Sequence, residues 1–298
     1  MPENFALYRK YRPANFDEVL GQEHVVSVLS RAIAEKNVSH AYLFSGPRGS
    51  GKTSVARILA RAAACAEEPA PCNKCENCRE FISGNTLDLL EIDAASNRGI
   101  DEVRALKEQA YLMPTKARRK AYIIDEVHMM TKDAFNALLK ILEEPPAHVL
   151  FIMATTEPEK LLDTVVSRAQ HFRFRPLAES VIQKSLEDIA KMENISLSRE
   201  ASGTLAFLAD GSLRDGLNHL AQVGIIGGKK VGEKEMQMVF GMPPAKLAGS
   251  LTDAILCHNA DLAYQSIREL EKSGGAAHLM LKILLRNFRF LLISAINP

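Results

Sequence analysis

Three short stretches of this sequence carry residues able to do chemistry. The first, "GPRGSGKT" at residues 46–53, matches Gly-x-x-x-x-Gly-Lys-Ser/Thr, a loop whose backbone N–H groups can cradle phosphates. Gly46, Pro47, Arg48, Gly49, Ser50 and Gly51 would line the cradle. Lys52 would reach the β- and γ-phosphates of ATP, and the Thr53 hydroxyl would hold Mg²⁺. Further on, "AYIIDEVH" at 121–128 carries Asp125 and Glu126 at the end of an apolar run. Asp125 suits the magnesium shell, and Glu126 suits orienting and polarising an attacking water. Together the two motifs point to nucleotide hydrolysis more than to binding alone. His128 reads as structural.

The third stretch, "CAEEPAPCNKCENC" at 65–78, holds four of the chain's five cysteines. Two-residue gaps within Cys72, Cys75 and Cys78, with Cys65 just upstream, let four thiolates converge on one tetrahedral Zn²⁺. A reducing compartment disfavours disulfides, and a redox pair would leave two thiols unused. So short an insert buries little apolar surface, whereas structural zinc contributes ~10–16 kcal/mol in small peptides. A zinc module over about 65–80 is expected, its coordination sphere closed and its role structural. Cys257 stands alone and reads as a buried core thiol.

These groups need a scaffold. The chain has 298 residues, 47% of them hydrophobic, and a formal net charge of +1. That length suits two or three domains, and the balance of charge offers no global basic field for nucleic acid. Basic clusters at Arg9, Lys10 and Arg12 and at "KARRK" (116–120) read first as solvated loops, and the absence of tryptophan argues against a single-strand stacking groove. No apolar run approaches the ~18 residues of a membrane span, and "MPENFALYRKYRP" lacks the apolar core of a secretory signal. The expectation is a soluble, cytoplasmic chain with no membrane partner.

"AYLFSG" (41–46), "LDLLEIDA" (87–94), "AYIIDEVH" and "HVLFIMATT" (148–156) are short apolar runs of the buried-strand kind, alternating with helical patterns. In one such pattern Val25, Leu29 and Ile33 share a face; in another Phe135, Leu139 and Leu142 do, before Pro145-Pro146 stops the helix. A parallel α/β domain over 1–176 is expected. From 177 to 241 no strand is evident; three helical segments are expected, punctuated by Gly211 and Gly227-Gly228. Beyond the "GMPP" break, helices are expected at 245–257, 260–273 and 276–294, the last too apolar for a free surface helix.

The blocks "GPRGSGKT", "IIDEVH", "FIMATTEPEKL", "TVVSRA" and "GSLRDGLNHLAQ" resemble, in order, an AAA+ ATPase of the clamp-loader kind. With "LYRKYRPANFDEVLGQEHVV", "DLLEIDAASNRGIDEVR" and "FNALLKILEEPP" the resemblance narrows to the bacterial DNA polymerase III gamma/tau family, over roughly the first 240 residues. The resemblance implies a parallel-sheet P-loop AAA+ domain carrying the zinc module, an all-helical lid domain at 177–241 and an incomplete helical collar domain at 242–298. It implies a sensor role for Thr156, a nucleotide contact for Arg214 from the lid, and a border for the adenine and ribose from Tyr8, Arg9, Arg12, Val19 and Leu20. Arg168 would act in trans on a neighbouring subunit's ATP, although Ala169 stands where the family usually has cysteine. The family's zinc module often has a longer first gap. Implied partners are delta and delta-prime subunits, further copies of the chain, a sliding clamp and primed double-stranded DNA. Two rivals are a non-hydrolysing scaffold subunit and a different AAA+ DNA-remodelling motor. Lys52, Thr53, Asp125 and Glu126 speak against the first, and the four-cysteine insert against the second.

Overall fold

The computed structural model describes residues 6–227 and 230–296; Gly228 of the expected Gly-Gly break lies outside them. The chain divides into two compact units, one of residues up to Ile182 with Ala209–Asp215, the other of Gln183–Leu208 with residues from Gly216 onward.

In the first unit the apolar runs become strands separated by amphipathic helices. In chain order these are α1 (Leu7–Lys10), α2 (Glu23–Ala34), β1 (Ala41–Ser45), α3 (Lys52–Ala64), α4 (Glu76–Ser83), β2 (Leu89–Asp93) and α5 (Ile100–Ala110). There follow β3 (Lys120–Asp125), α6 (Lys132–Glu143), β4 (Val149–Thr155), α7 (Asp163–Val166) and β5 (Gln170–Arg173). The five strands form one sheet in the order β2-β3-β4-β1-β5, every neighbouring pair parallel. Strands β1 and β4 are buried along their whole length, as expected of strands covered on both faces.

Alternation sorts the sheet's side chains. Leu43, Tyr122, Ile124, Phe151 and Met153 face one way and pack with α5 and α6. Tyr42, Phe44, Ile123, Leu150 and Ile152 face the other and pack with α2 and α3. The register places Ser45 opposite Thr155 and Ile124 opposite Met153, so β1, β3 and β4 end side by side. In open parallel sheets such carboxyl ends are where ligands bind.

The second unit is mostly helical. Its elements include α8 (Glu179–Met192), β6 (Ser196–Leu197), α9 (Arg199–Ala209), α10 (Leu213–Gly227), β7 (Lys230–Val231), α11 (Glu233–Phe240), α12 (Ala245–Leu256), α13 (Ala260–Lys272) and α14 (Ala277–Ile296). Phe207, Leu247, Leu251, Leu270, Met280 and Ile283 form a core there.

Several expectations change. Strand β5 had no signal in the sequence, because "QHFR" lies at the sheet edge and is only half-buried. Four helices, not three, occupy 177–241, and β6 and β7 pair in parallel, so that region is not all helical. Residues 209–215 belong with the first unit, where Gly211 accepts a hydrogen bond from Leu177 N–H at 3.0 Å. Within α6, Leu138 and Ile141 are the buried residues beside Phe135 and Leu142, while Leu139 is only partly covered. Cys257 is exposed, not buried, because it caps the end of α12 beside the exposed Ile255 and Leu256. Helix α14 buries Leu279, Met280, Ile283 and Leu284 but leaves Phe290, Leu291, Leu292 and Ile293 exposed.

Candidate nucleotide site and cysteine cluster

The phosphate-type loop leaves β1 and turns into α3. Gly46 has φ of 144° and donates its N–H to Thr155 O at 3.2 Å. A Cβ there would stand 2.5 Å from Phe174 O, so only glycine fits. At Gly49, with φ of 75°, a Cβ would collide with the Ser212 hydroxyl at 1.9 Å. Pro47 and Arg48 are exposed on the crest, whereas Ser50 is buried and donates its hydroxyl hydrogen to Pro47 O at 2.8 Å. Gly51 is the left-handed residue that opens α3, whose N-terminal N–H groups favour an anion.

Lys52 is buried, and its Nζ donates to Gly46 O at 2.7 Å and Pro47 O at 2.9 Å. Burial pushes its pKa down, opposed by the carboxylates of Glu126 and Asp125. The Thr53 hydroxyl donates to Asp125 Oδ2 at 2.9 Å, and Glu126 N–H donates to Asp125 Oδ1 at 3.0 Å. Thr53 and Asp125 thus present an adjacent hydroxyl and carboxylate, the oxygen donors that a hard cation such as Mg²⁺ takes.

Glu126 has φ of 48° and ψ of 45°, a left-handed geometry that costs a non-glycine residue ~1–2 kcal/mol. Its carboxylate Oε2 accepts from Thr156 Oγ1 at 3.0 Å and Thr156 N at 3.2 Å. Five of the expected residues therefore converge here: Lys52, Thr53, Asp125, Glu126 and Thr156.

Tyr8, Arg12 and Arg214 form a neighbouring basic group. The Arg214 guanidinium carbon lies 4.7 Å from the Tyr8 ring centre, and that of Arg9 lies 5.9 Å from it. The Arg9 hydrogen bond holds the Tyr8 hydroxyl below its usual pKa, with Arg214 adding to the effect. Burial lowers the pKa of Arg12, and the nearby Arg57, Arg214 and Arg9 lower it further against the pull of Glu91. Such crowded cations suit an anionic ligand. Val19 packs on the core below β1, and Leu20 is exposed.

Arg168 does not join its own chain's site. Its guanidinium donates to Thr164 O at 2.8 Å and to Glu143 Oε1 at 2.7 Å. Ala169 is partly buried and packs against the core.

The four expected cysteines do come together. Cys65 ends α3, Cys75 caps α4, and the Sγ atoms of Cys65, Cys72, Cys75 and Cys78 all lie within 4.8 Å of one another. Cys65–Cys75 and Cys72–Cys78 are each separated by 3.9 Å, far beyond the ~2.05 Å of a disulfide. Tetrahedral Zn–S bonds of ~2.3 Å place sulfurs about 3.8 Å apart, so the cluster is compatible with zinc. Backbone N–H groups of Cys75 and Lys74 point at Cys72 and bring its thiol pKa down to about 6; burial raises those of Cys65 and Cys78. Lys116 Nζ donates to Glu76 and Glu80 of α4 at 2.7 Å each.

The remaining basic side chains of "KARRK" are engaged as well. Arg118 donates to Ala66 O, Arg119 to Val38 O and Lys120 to Gln109 O, at 3.0 Å each. The cluster thus serves the fold around the cysteine insert.

Residues 21–178 match the family model described as "DNA polymerase III, delta subunit". Similar curated proteins include DNA polymerase III subunit tau of Bacillus subtilis, 39% identical over 98% of this chain and 52% of that protein. Subunit tau of Escherichia coli is 42% identical over 90% of this chain and 42% of its own length. Subunit gamma of Buchnera aphidicola is 37% identical over 96% of this chain and 79% of its own length. The chain belongs to the DNA polymerase III gamma/tau family. It spans about half the length of the Bacillus relative. Among solved structures, the Thermotoga maritima RuvB Holliday junction branch migration motor aligns with a TM-score of 0.59 and 17% identity, over 91% of this chain and 90% of RuvB. That likeness places the gamma/tau chain in the RuvB-like AAA+ fold.

One residue bracing the site escaped the sequence reading of this gamma/tau chain. Gln22 is fully buried; its amide donates to Arg175 O at 2.7 Å and Ser50 O at 3.4 Å and accepts from Arg175 N at 3.1 Å, bracing the phosphate loop. A glutamine ahead of an apolar helix gives no signal beyond that of a cap. His128, read as structural, is buried beside Glu126 with its Nδ1 at 3.5 Å from that carboxylate.

Proposed function

We propose that this chain is an ATP-hydrolysing subunit of the bacterial replicative clamp loader, in which ATP binding prepares the assembly to open a sliding clamp and load it onto primed DNA. The observation that carries the proposal is the convergence of Lys52, Thr53, Asp125, Glu126 and Thr156 at the adjoining ends of β1, β3 and β4.

In this reading Lys52 leaves the carbonyls of Gly46 and Pro47 for the β- and γ-phosphates, a charge-assisted exchange. Thr53 and Asp125 hold Mg²⁺, which supplies charge neutralisation between the phosphates. Glu126 orients the attacking water and accepts its proton, and Thr156 reports on the γ-phosphate from the next strand. Tyr8, Arg12, Val19 and Leu20 border the base and ribose, while Arg214 reaches the phosphates. Arg168 serves a neighbouring subunit, its pairing with Glu143 keeping it away from its own site. An arginine of this kind contributes ~10³–10⁵ in rate, so the isolated chain turns over slowly.

Residues 177–241 act as the lid and 242–298 as the start of the collar; delta and delta-prime subunits, further copies, the clamp and primed DNA are the partners. Cys65, Cys72, Cys75 and Cys78 hold a structural Zn²⁺. The test is ATP turnover by the chain alone, then with delta, delta-prime, clamp and primed DNA. A slow basal rate that rises in the mixture and is abolished by Lys52→Ala is expected. A complex that forms without stimulation would sink the loader reading.

A further inference from the structure

Glu126 and Thr156 lie on two turns, 126–128 and 155–157, that are joined by more than their own contact. His128 is 4% exposed at its side chain, with Nε2 at 3.1 Å from Glu157 Oε1. Lys160 Nζ contacts the other oxygen of Glu157 at 2.5 Å and holds that carboxyl below its ordinary pKa. An ionised carboxylate only accepts, so Nε2 carries the hydrogen that faces Glu157; Nδ1 faces the Thr155 hydroxyl and, at 3.5 Å, Glu126 Oε2. Nδ1 and Thr155 Oγ1 share a hydrogen bond at 2.9 Å, and Thr155 Oγ1 accepts Glu157 N–H at 3.0 Å.

The contacts are reciprocal. Thr156 grips Glu126, and His128, two residues past Glu126, grips both neighbours of Thr156. The His128 ring therefore closes a cycle that sets the separation of the two turns. Glu126 holds a left-handed backbone, and such a conformation persists only where its surroundings enforce it.

We propose that His128 is a positioning residue for ATP hydrolysis, holding the base Glu126 and the sensor Thr156 in register through Thr155 and Glu157. This rests on the hydrolysis reading above. His128 does not touch the nucleotide; it acts through Glu126, where a misplacement of ~1 Å costs on the order of 10²-fold in rate.

The test separates kcat from binding, with Glu126→Gln as the control for site-dependent turnover. His128→Phe keeps an aromatic ring and removes the polar contacts; a fall in kcat of about 10–100-fold is expected, with the dissociation constant of a fluorescent ATP analogue changed less than about twofold. His128→Asn retains a polar atom near the Nδ1 position and should recover part of the rate. Glu157→Gln, half-exposed and free of cavity effects, should lower kcat in the same direction. His128→Phe and Thr156→Ala should be non-additive, as residues of one network are. An unchanged kcat in His128→Phe, or loss of rate, binding and thermal stability together in all three variants, would overturn the positioning role. Absence of any Glu126-dependent turnover in the wild type would overturn the hydrolysis reading, and this inference with it.

Discussion

Thr156 holds Glu126 Oε2 twice, through its hydroxyl at 3.0 Å and its backbone N–H at 3.2 Å. The proposed base and the proposed sensor are thus in direct contact with each other. Glu126→Gln should lower kcat by about 10²–10⁴-fold, the range for removing a general base, while leaving nucleotide affinity nearly unchanged. Steady-state turnover beside equilibrium binding of a fluorescent nucleotide checks this; parallel loss of both would remove Glu126 from the catalytic step.

Lys52→Ala should behave differently. Its ammonium is already desolvated against two loop carbonyls, so little reorganisation separates it from a phosphate. A hydrogen bond to a charged group is worth ~1.5–3 kcal/mol, which is about 10–100-fold in affinity. Equilibrium binding of ATP is the readout, and unchanged affinity would put the phosphates elsewhere.

Cys78→Ser tests the cysteine cluster. One zinc per chain is expected by elemental analysis of the wild type, and much less in the variant. Thermal unfolding should drop in the variant and in chelator-treated protein alike, since ligand binding to the native state is folding free energy. Wild-type protein free of metal, with an unchanged melting curve in the variant, would leave the cluster a thiol core only.

Asp88 gives a prediction in pH. Its buried carboxylate accepts from the N–H groups of Thr115, Lys116 and Ala117 at 2.8, 2.9 and 2.9 Å. Burial works to raise its pKa, but the three donors outweigh it and hold the carboxyl below the ordinary 3.8. A depressed folded pKa means stability present above the unfolded value and lost as pH falls through the folded one. Asp88→Asn should therefore cost about 2–3 kcal/mol near neutrality and little below the folded pKa. Denaturant unfolding at several acidic pH values measures it; a penalty independent of pH would mean that the charge is not what holds the loop.

Much of the candidate site was legible in the residues alone, because the motifs that suggest it are local. A phosphate cradle needs glycines and a lysine at set spacing, so 46–53 identified itself. Asp125 and Glu126 were readable because an apolar strand must end before charged groups emerge. The cysteines were readable because two-residue gaps limit where the thiols can point.

Long-range neighbours were not legible. Strand β5 is half-exposed at an edge, so its pattern carries no strand signal, and β6 and β7 are two residues each. Gln22 meets Arg175 across 153 positions, and no periodicity reports such a pairing. Cys257 failed as a core thiol because a cysteine in an apolar helical run can still fall at the helix cap.

The residue types and their spacing determined which chemistry to expect of this chain: phosphate binding at 46–53, magnesium ligation at Asp125 with water activation at Glu126, and thiolate ligation at 65–78. The tertiary structure decided which of those groups touch. Parallel register brings Ser45 level with Thr155, and the sheet order sets β4 between β1 and β3. That placement delivers Thr156 to Glu126 and His128 to Thr155 and Glu157. The reason is physical: side-chain identity sets what a group can donate or accept, whereas contact across the chain depends on packing and register, which no local stretch contains.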